Sequence, residues 1–384
     1  MTEPAKPKRT RRKPVAEAPA PQLTPKPTRP SRRRAPKAEP TVAVASALEP
    51  ALAPLPELES EPRRPRRVVL TGGAGFVGRH VAEALRNRGD TVVALVRDAR
   101  RAGFLHDLGV ELVESDLTDD AQLVEVFRDG DALIHAAGRY RIGISKAERG
   151  AMWEANIGTT TRVLDAAEAA GTPRVVYVST ANVFGNTRGR VVDESYRRNL
   201  GEGFLSWYDE TKYGAHEVAE QRLKAGAPVI IVMPSQVYGP GDNSEFGEQL
   251  GLAADGRLRY SALDDVGVGL VHVEDLAAGI LAAMDRGRVG QIYVLGGPRT
   301  TLRQAIELAA STAGRKAPAL RVPSALLRAA APLGRLIGQP NLREVVSASA
   351  GVTYWASAEK AERELGFRAR SLEDGFRDTF GTRH

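Results

Sequence analysis

The chain has 384 residues, of which 42% are apolar and 26% charged. This composition is typical of globular proteins, and the length suffices for two domains. The absence of cysteine excludes disulfides, thiol catalysis and cysteine-ligated metal centres. The net charge is +7, but residues 1–67 alone carry 16 Lys/Arg against 7 Asp/Glu. The remaining residues are nearly neutral, which argues against a nucleic-acid-binding function for the folded part.

Residues 1–65 have the composition of a disordered tail. They hold 15 of the 24 prolines, and the first aromatic residue of the chain is Phe76. A segment without aromatic residues and with so many prolines cannot bury a core, so we expect disorder. Its basic clusters predict weak binding of a polyanion or a partner. No apolar run of the chain is long enough to cross a bilayer, and we expect a cytoplasmic protein without a transmembrane segment.

From residue 66 onward, short apolar runs alternate with amphipathic stretches. The pattern predicts strands near 68–70, 91–96, 111–114, 131–135, 174–178 and 229–233, with helices near 76–88, 120–128, 150–170 and 207–225. This order predicts an α/β fold with a Rossmann-like, doubly wound parallel sheet. We expect residues 66–240 to form the cofactor-binding domain, which also carries the catalytic residues. Residues 241–384 are expected to form a smaller, mainly substrate-binding lobe.

A glycine-rich turn follows the first predicted strand and reads Thr71-Gly72-Gly73-Ala74-Gly75-Phe76-Val77-Gly78. In such a turn Gly72 permits the tight bend, Gly75 lets the backbone approach a pyrophosphate, and Gly78 permits close helix–strand packing. The helix that begins at Phe76 and Val77 offers uncapped N–H groups and a positive dipole end to phosphates. Because the turn lies between a strand and an amphipathic helix, it predicts a dinucleotide-binding site.

The end of the second strand bears on which dinucleotide is bound. An acidic residue there usually binds the ribose hydroxyls of NAD, but this chain has Val96 followed by Arg97. A guanidinium suits a 2′-phosphate, so Arg97 favours NADP. Asp98 follows directly and leaves NAD open.

Tyr208 and Lys212 are four residues apart on a predicted helix and therefore share one face. A nearby ammonium stabilises a phenolate, so we expect Lys212 to lower the pKa of Tyr208. Tyr208 is then a candidate proton donor and acceptor for a carbonyl/alcohol pair. Lys212 is also a candidate hydrogen-bond donor to the nicotinamide ribose.

Further motifs occur in a recognisable order along the chain. They are Asp116-Leu117, His135-Ala136-Ala137-Gly138, Ser179-Thr180-Ala181-Asn182-Val183-Phe184-Gly185, Pro234-Ser235-Gln236-Val237-Tyr238-Gly239-Pro240-Gly241-Asp242 and Val271-His272-Val273-Glu274-Asp275-Leu276-Ala277. Together with the glycine turn and the Tyr–Lys pair, they make the chain resemble extended short-chain dehydrogenases/reductases of the NAD-dependent epimerase/dehydratase family, from Arg66 to about Phe380. The C-terminal part is most similar to the branch with hopanoid-associated sugar epimerases and dihydroflavonol-reductase-like proteins.

The resemblance implies roles for individual residues. Thr180 stands where the family has its catalytic serine or threonine, and Ser179 is the close competitor. Asn156 matches a family asparagine near the active site, although a purely structural role fits it equally well. The cofactor contacts that the resemblance implies are Asp116 and Leu117 at the adenine, Ala136, Ala137 and Gly138 at the diphosphate and ribose, and Pro234 at the nicotinamide. The histidines show no metal-ligand spacing, so we expect no metal site.

Two departures from the family pattern narrow the chemistry. Ala181-Asn182 replace the Asp-Glu pair of sugar-nucleotide dehydratases, and Gly267-Val268-Gly269-Leu270 lack the arginine that clamps a substrate diphosphate. We therefore expect an NAD(P)-dependent dehydrogenase or reductase acting on a small-molecule carbonyl or alcohol. The alternatives are a sugar epimerase without net cofactor turnover and a non-catalytic cofactor-binding regulator, and a homodimer is left open.

Overall fold

The structure is a computed structural model that describes residues 64–334 and 341–381. The tail expected for residues 1–65 therefore lies outside the described residues, apart from its last two.

The strands of the described ranges are mostly short. They are Arg67–Thr71 (β1), Thr91–Val96 (β2), Glu111–Glu114 (β3), Ala132–His135 (β4), Val175–Val178 (β5), Val229–Pro234 (β6), Gln236–Tyr238 (β7), Tyr260–Ala262 (β8), Gly267–His272 (β9), Ile292–Leu295 (β10), Arg299–Thr301 (β11), Leu320–Val322 (β12) and Thr353–Tyr354 (β13).

The α-helices connect and cover these strands. They are Phe76–Asn87 (α1), Gly103–Asp107 (α2), Asp120–Arg128 (α3), Arg149–Trp153 (α4), Thr159–Ala169 (α5), Trp207–Lys224 (α6), Glu245–Ala254 (α7), Val273–Arg286 (α8), Leu302–Thr312 (α9), Ser324–Ala330 (α10), Leu342–Ser349 (α11), Glu359–Leu365 (α12) and Leu372–Phe380 (α13). None of them is both long and apolar enough to cross a membrane.

Seven strands form one parallel sheet in the order β10-β6-β5-β4-β1-β2-β3. On β1, Val68 pairs with Val92 of β2 on one side and with Ala132 of β4 on the other. The predicted Rossmann-like, doubly wound sheet is thereby confirmed. The strand order reverses beside β1, and in such sheets ligands bind at this point, beyond the carboxyl ends of the strands.

Apolar side chains cover the sheet on both faces. Val81 of α1 and Ile280 of α8 belong to one buried layer, whereas Phe127 of α3 and Ala215 of α6 belong to the other. Helices on both faces explain why the strands are continuous apolar runs rather than alternating ones.

A third apolar core lies in the C-terminal part of the chain. It joins α7, α9 and α13 to β9 through Leu250, Ile306, Phe376 and Leu270. Strand β10 comes from beyond residue 240 and pairs with β6 in the large sheet. The domain boundary at residue 240 stays a prediction.

Candidate active site

A cleft of about 420 Å³ lies beyond the carboxyl ends of the central strands. Eleven of the residues predicted for cofactor binding or catalysis line it: Gly72, Gly75, Phe76, Val77, Gly78, Ala136, Gly138, Thr180, Tyr208, Lys212 and Pro234. These residues come from segments that are far apart in the sequence. The fold therefore brings most of the predicted site together.

The glycine turn is packed too tightly for side chains. Gly72 has a φ of +75°, and a Cβ on it would lie 2.6 Å from the backbone nitrogen of Ala137. A Cβ on Gly78 would lie 2.1 Å from the carbonyl oxygen of Gly72. Helix α1 begins after Gly75 without a side-chain cap, so its first N–H groups are available to an anionic ligand. This arrangement fits the phosphates of a dinucleotide.

Four predicted cofactor residues do not line the cleft. Ala137 lies behind it, against Gly72. Arg97 is exposed just after β2. Asp116 and Leu117 follow β3, where the Asp116 carboxylate accepts hydrogen bonds from the N–H and Oγ1 of Thr118 at 3.0 and 2.5 Å. These hydrogen bonds lower the pKa of Asp116. Adenine contacts by Asp116 and Leu117 stay a prediction.

Tyr208 is the second residue of α6, a helix capped by the Ser206 side chain. Tyr208 is buried, and it lines the cleft together with Thr180. Burial raises the pKa of Tyr208, and neighbouring Tyr140 raises it further. The predicted lowering by Lys212 is wrong for the protein alone, because desolvation of the phenolate dominates.

Lys212 is also buried, one helical turn after Tyr208. Its Nζ donates to the carbonyl oxygen of Val178 at 3.4 Å and lies 5.4 Å from the centre of the Tyr177 ring. Burial lowers the pKa of Lys212 to about 8. Few groups of the protein therefore stabilise the buried ammonium of Lys212. It can still donate hydrogen bonds to a ligand in the cleft.

Thr180 and Ser179 differ in what their hydroxyls contact. The Ser179 hydroxyl is paired with His216 Nδ1 of α6 at 2.9 Å. Thr180 Oγ1 accepts from the N–H of Asn182 at 3.2 Å and donates to no group among the described residues, so its proton is available to a ligand in the cleft. The geometry thus favours Thr180 over Ser179 as the hydroxyl that acts together with Tyr208.

Asn156 fixes one wall of the cleft. Its Oδ1 accepts from the N–H of Arg139 at 2.7 Å, and its Nδ2 donates to the Arg139 carbonyl and to Thr211 Oγ1 at 3.1 and 3.0 Å. It lies on a π-helical turn, Glu154–Gly158, between α4 and α5. Asn156 therefore connects the segment after Gly138 to α6. These hydrogen bonds are consistent with the structural role that was one of the two alternatives for this residue.

Several lining residues were not predicted. They are Arg139, Tyr140, Val178, Asn182, Ser235, Gln236, Val237, Asp242, Asn243 and Ser244. Tyr140 packs edge-to-face on Tyr208, with ring centres 4.8 Å apart. Tyr140 is 45% exposed, and its pKa is raised by desolvation inside the cleft and by the negative charges of Glu245 and Asp242. Asn182, Gln236 and Asp242 belong to motifs noted in the sequence, whereas Tyr140 gave no such signal.

An apolar wall adjoins Tyr208. Ile144 and Met152 are buried against it, and Ile142 and Trp207 pack on the same cluster. These four residues do not line the cleft themselves; they form a small apolar core that supports Tyr208.

One group of potential metal ligands lies elsewhere among the described residues. His272, Glu274 and Asp378 bring one ligand atom each to within 4.8 Å of one another. Arg370 already pairs with Glu274 and Asp378, at 2.9 and 3.4 Å, and its guanidinium opposes a bound cation. The absence of a metal cofactor stays a prediction.

Fold and cleft together define an NAD(P)-binding oxidoreductase of the Rossmann type. The profile of the NAD dependent epimerase/dehydratase family matches residues 68–296. The chain belongs to this family.

Two curated relatives align with most of the chain. A putative dihydroflavonol 4-reductase from Synechocystis is 31% identical over 80% of this chain and 92% of its own length. The 4-hydroxy-2-methyl-3-oxo-4-farnesyl-3,4-dihydroquinoline-1-oxide ketoreductase of Stigmatella aurantiaca is 32% identical over 79% and 92%. Among solved structures, the dTDP-glucose 4,6-dehydratase DesIV of Streptomyces venezuelae with NAD and DAU bound is 26% identical, with a TM-score of 0.67 over 82% of this chain and 95% of that one.

Burial of Lys212 has a consequence for stability that is independent of catalysis. Its pKa is about 8 in the folded protein against an ordinary value of 10.5, so the unfolded chain binds more protons between these pH values. The charged lysine destabilises the fold fully below pH 8, and the penalty disappears as pH rises to 10.5. We expect Lys212→Met to raise the free energy of unfolding at neutral pH by about 3 kcal/mol.

Denaturant unfolding of the cofactor-free protein at several pH values tests this. The gain should shrink steadily above pH 8, where wild type loses the buried charge. Lys146→Met is the control, because Lys146 is exposed and has no ion pair among the described residues, so it should change stability by less than about 0.5 kcal/mol. A Lys212→Met protein less stable than wild type at neutral pH would contradict the argument.

Proposed function

We propose that this chain is an NADP-dependent dehydrogenase or reductase that interconverts a ketone and a secondary alcohol. The observation that carries the proposal is the convergence of Thr180, Tyr208 and Lys212 with the glycine turn in one cleft. Three hydroxyl or amine groups of these types beside a phosphate-binding turn suit carbonyl chemistry next to a nicotinamide.

Thr180, Tyr208 and Lys212 have different roles in the proposed reaction. The nicotinamide, when bound, supplies the hydride donor or acceptor. Thr180 donates a hydrogen bond that polarises the substrate oxygen, and Tyr208 Oη delivers its proton to that oxygen or removes it. The raised pKa of Tyr208 keeps its proton in place before reaction. Lys212 lies one turn along α6 and stabilises negative charge that develops on Tyr208.

The lining of the cleft indicates the kind of substrate. Tyr140, Val178 and Val237 line it together with Tyr208 and suit a ketone whose neighbouring groups are apolar. The Stigmatella relative is named as a ketoreductase of a farnesylated quinoline oxide, which agrees with such a substrate. A nucleotide sugar is disfavoured by the missing arginine before Val271.

Incubation of the purified full-length protein with NADPH or NADP⁺ and panels of ketones, alcohols and sugars tests the proposal. A net change in nicotinamide absorbance with apolar ketones or alcohols is the expected result. Exchange between sugar isomers without net absorbance change would replace the proposal with an epimerase. Tight cofactor binding without any turnover would favour a regulator.

Preference for NADP should depend on Arg97. This residue is exposed, with no side-chain partner in the described part of the chain. The Asp98 carboxylate, by contrast, accepts from the N–H groups of Arg100 and Arg101 at 3.0 and 3.2 Å and pairs with the Arg101 side chain. Asp98 is thus less available to a ribose. A charge-assisted contact of Arg97 with the 2′-phosphate is worth about one to two decades in affinity.

Titration of NADPH and NADH by intrinsic fluorescence measures the preference. Wild type should bind NADPH about 10- to 100-fold more tightly, and Val96→Asp with Arg97→Asn should reverse the order. Arg128→Asn, at an exposed arginine at the end of α3, should leave it unchanged. Tighter NADH binding by wild type would show that Asp98 binds the ribose and that the cofactor is NAD.

A further inference from the structure

The most exposed large apolar side chains of the described residues lie on one section of the C-terminal part. Leu320, Leu326, Tyr260 and Leu333 are 64, 60, 55 and 54% exposed. Single exposed leucines are common, but a gathering of the largest ones on one section points to an interaction surface. We call residues 257–260 and 315–333 the basic–apolar face.

The four side chains come from two chain segments that are joined by the pairing of β8 with β12. Tyr260 and Leu320 are register partners in the parallel pair of β8 and β12, and α10 begins two residues after β12. Leu327 of α10 packs inward on a small core with Val346 and Ala350 of the α11 region. Its neighbour Leu326 consequently points away from that core, and Leu333 follows on a 3₁₀ turn.

Basic residues surround the exposed leucines. Between Leu308 and Gly334 the chain has no Asp or Glu but has Arg315, Lys316, Arg321 and Arg328. Arg257 and Arg259 flank Tyr260 on the other strand, and a Cβ on Gly256 would lie 3.4 Å from the Arg315 side chain. Cations from both segments therefore meet at this end of the face.

Nearby acids neutralise only part of this charge. Glu307 pairs with Arg321 at 3.0 Å, Asp255 lies 3.9 Å from Arg257, and Asp264 and Asp265 accept from Ser261 and Ser324. Within the described ranges, Arg259, Arg315 and Lys316 have no carboxylate within salt-bridge distance. The face keeps a positive charge next to its leucines.

The charge decides between possible occupants. The N-terminal segment has an excess of nine basic residues over acidic ones in residues 1–67, so it would be repelled. A second copy in a symmetric dimer would oppose like charges. An anionic bilayer offers negative headgroups to the cations and an apolar interior to the leucines. We propose that the basic–apolar face docks this protein on the surface of anionic membranes.

The face is connected through helix α11 to the residues that support Tyr208. Helix α11, which packs on α10, accepts a hydrogen bond from the N–H of Trp207 through Glu344 Oε1 at 2.7 Å. Trp207 belongs to the apolar wall beside Tyr208. If the proposed function holds, docking brings a lipid-dissolved ketone near its site, but membrane binding itself does not depend on that function.

Co-flotation of the full chain with vesicles tests the proposal. The protein should bind vesicles that contain phosphatidylglycerol and should bind pure phosphatidylcholine vesicles much more weakly. Leu326→Glu with Leu333→Glu should reduce binding roughly tenfold or more, because both apolar contacts are lost and two like charges face the lipid. Arg315→Gln with Lys316→Gln should also weaken binding, most strongly at low salt.

The control variant is Leu200→Glu with Val289→Glu. These side chains are exposed to a similar degree, 53 and 45%, and the charge change is identical, so binding should stay at the wild-type level. Melting temperature and NADPH affinity check that each variant is folded. The variant with Arg315→Gln and Lys316→Gln keeps all the leucines. Its vesicle binding still tests the proposal if the variant with Leu326→Glu and Leu333→Glu does not fold.

Three results would overturn the proposal. Vesicle binding that is equal in all variants would assign it to the basic N-terminal segment. A wild-type dimer that the Leu326/Leu333 variant dissociates, without vesicle binding, would assign the face to a second copy. Binding to duplex DNA in preference to vesicles, and unaffected by the leucine substitutions, would assign the cations to nucleic acid.

Discussion

Tyr208→Phe should lower kcat by about 10² to 10⁴, the usual contribution of a general acid–base group. The substitution removes only the phenol oxygen and leaves the ring packed on Tyr140 and Met152. NADPH affinity should therefore stay close to wild type. Steady-state kinetics with a ketone from the substrate panel, together with fluorescence titration of NADPH, measures both quantities.

Tyr140→Phe is the matched control for this result. Tyr140 lines the same cleft and touches Tyr208 edge-to-face, but its hydroxyl has no role in the proposed proton transfer. Its loss should change kcat only a few-fold. If Tyr208→Phe and Tyr140→Phe behaved alike, the proton would come from another group, and Thr180→Val and Ser179→Ala would be the next variants to compare.

The large sheet and its glycine turn could be predicted because each carries a local signal. The apolar runs at β1, β2, β4, β5 and β6 are continuous, and the turn after β1 needs glycine for reasons confined to a few residues. Gly72 requires a positive φ, and Gly78 has no room for a Cβ beside Gly72. Such short-range constraints are visible in a sequence without any knowledge of tertiary contacts.

Strand β9 was not predicted for a physical reason. Gly267 and Gly269 interrupt its apolar pattern, and glycine weakens a strand signal. The structure shows why both are tolerated: a Cβ on Gly267 would lie 2.9 Å from Thr353, and one on Gly269 would lie 3.2 Å from the Gly297 carbonyl. Close approach of the Thr353 side chain at Gly267 and of backbone at Gly269 explains the two glycines inside this strand, but these neighbours are unknown from the sequence.

The single helix predicted over residues 150–170 contains a π-helical turn that the sequence did not predict. In the structure α4 and α5 are separated by a π-helical turn at Glu154–Gly158. Apolar periodicity cannot show a single extra residue in a helical turn, yet this turn places Asn156 against Arg139 and Thr211. The ambiguity over Asn156 in the sequence arose because its partners are 17 and 55 residues away.

Tyr140 and the pKa of Tyr208 depend entirely on tertiary packing. Tyr140 lies after β4 without any periodic or motif signal, and only folding brings it to Tyr208. The helical spacing of Tyr208 and Lys212 predicted their shared face correctly. It could not predict how deeply both are buried, and burial determines the direction of both pKa shifts.

Gly78→Ala should damage both the fold and cofactor binding. The new Cβ would lie 2.1 Å from the Gly72 carbonyl oxygen, and its next neighbours, the Gly72 carbonyl carbon and Gly73 Cα, are also backbone atoms. No side chain can rotate away, so α1 must shift relative to the turn. Overpacking of this kind typically costs about 1–3 kcal/mol, and misplacement of the N–H groups at the start of α1 should weaken NADPH binding by about a hundredfold.

The natural control for Gly78→Ala is Gly251→Ala. Gly251 lies within helix α7, and a Cβ there would have no atom within 4 Å. Alanine is favoured over glycine inside a helix by about 1 kcal/mol, so Gly251→Ala should raise the melting temperature and leave NADPH affinity unchanged. The two variants should therefore change the melting temperature in opposite directions, and only Gly78→Ala should weaken NADPH binding in the titration. A Gly78→Ala protein that binds NADPH like wild type would show that the turn has room to relax and that α1 does not hold the phosphates.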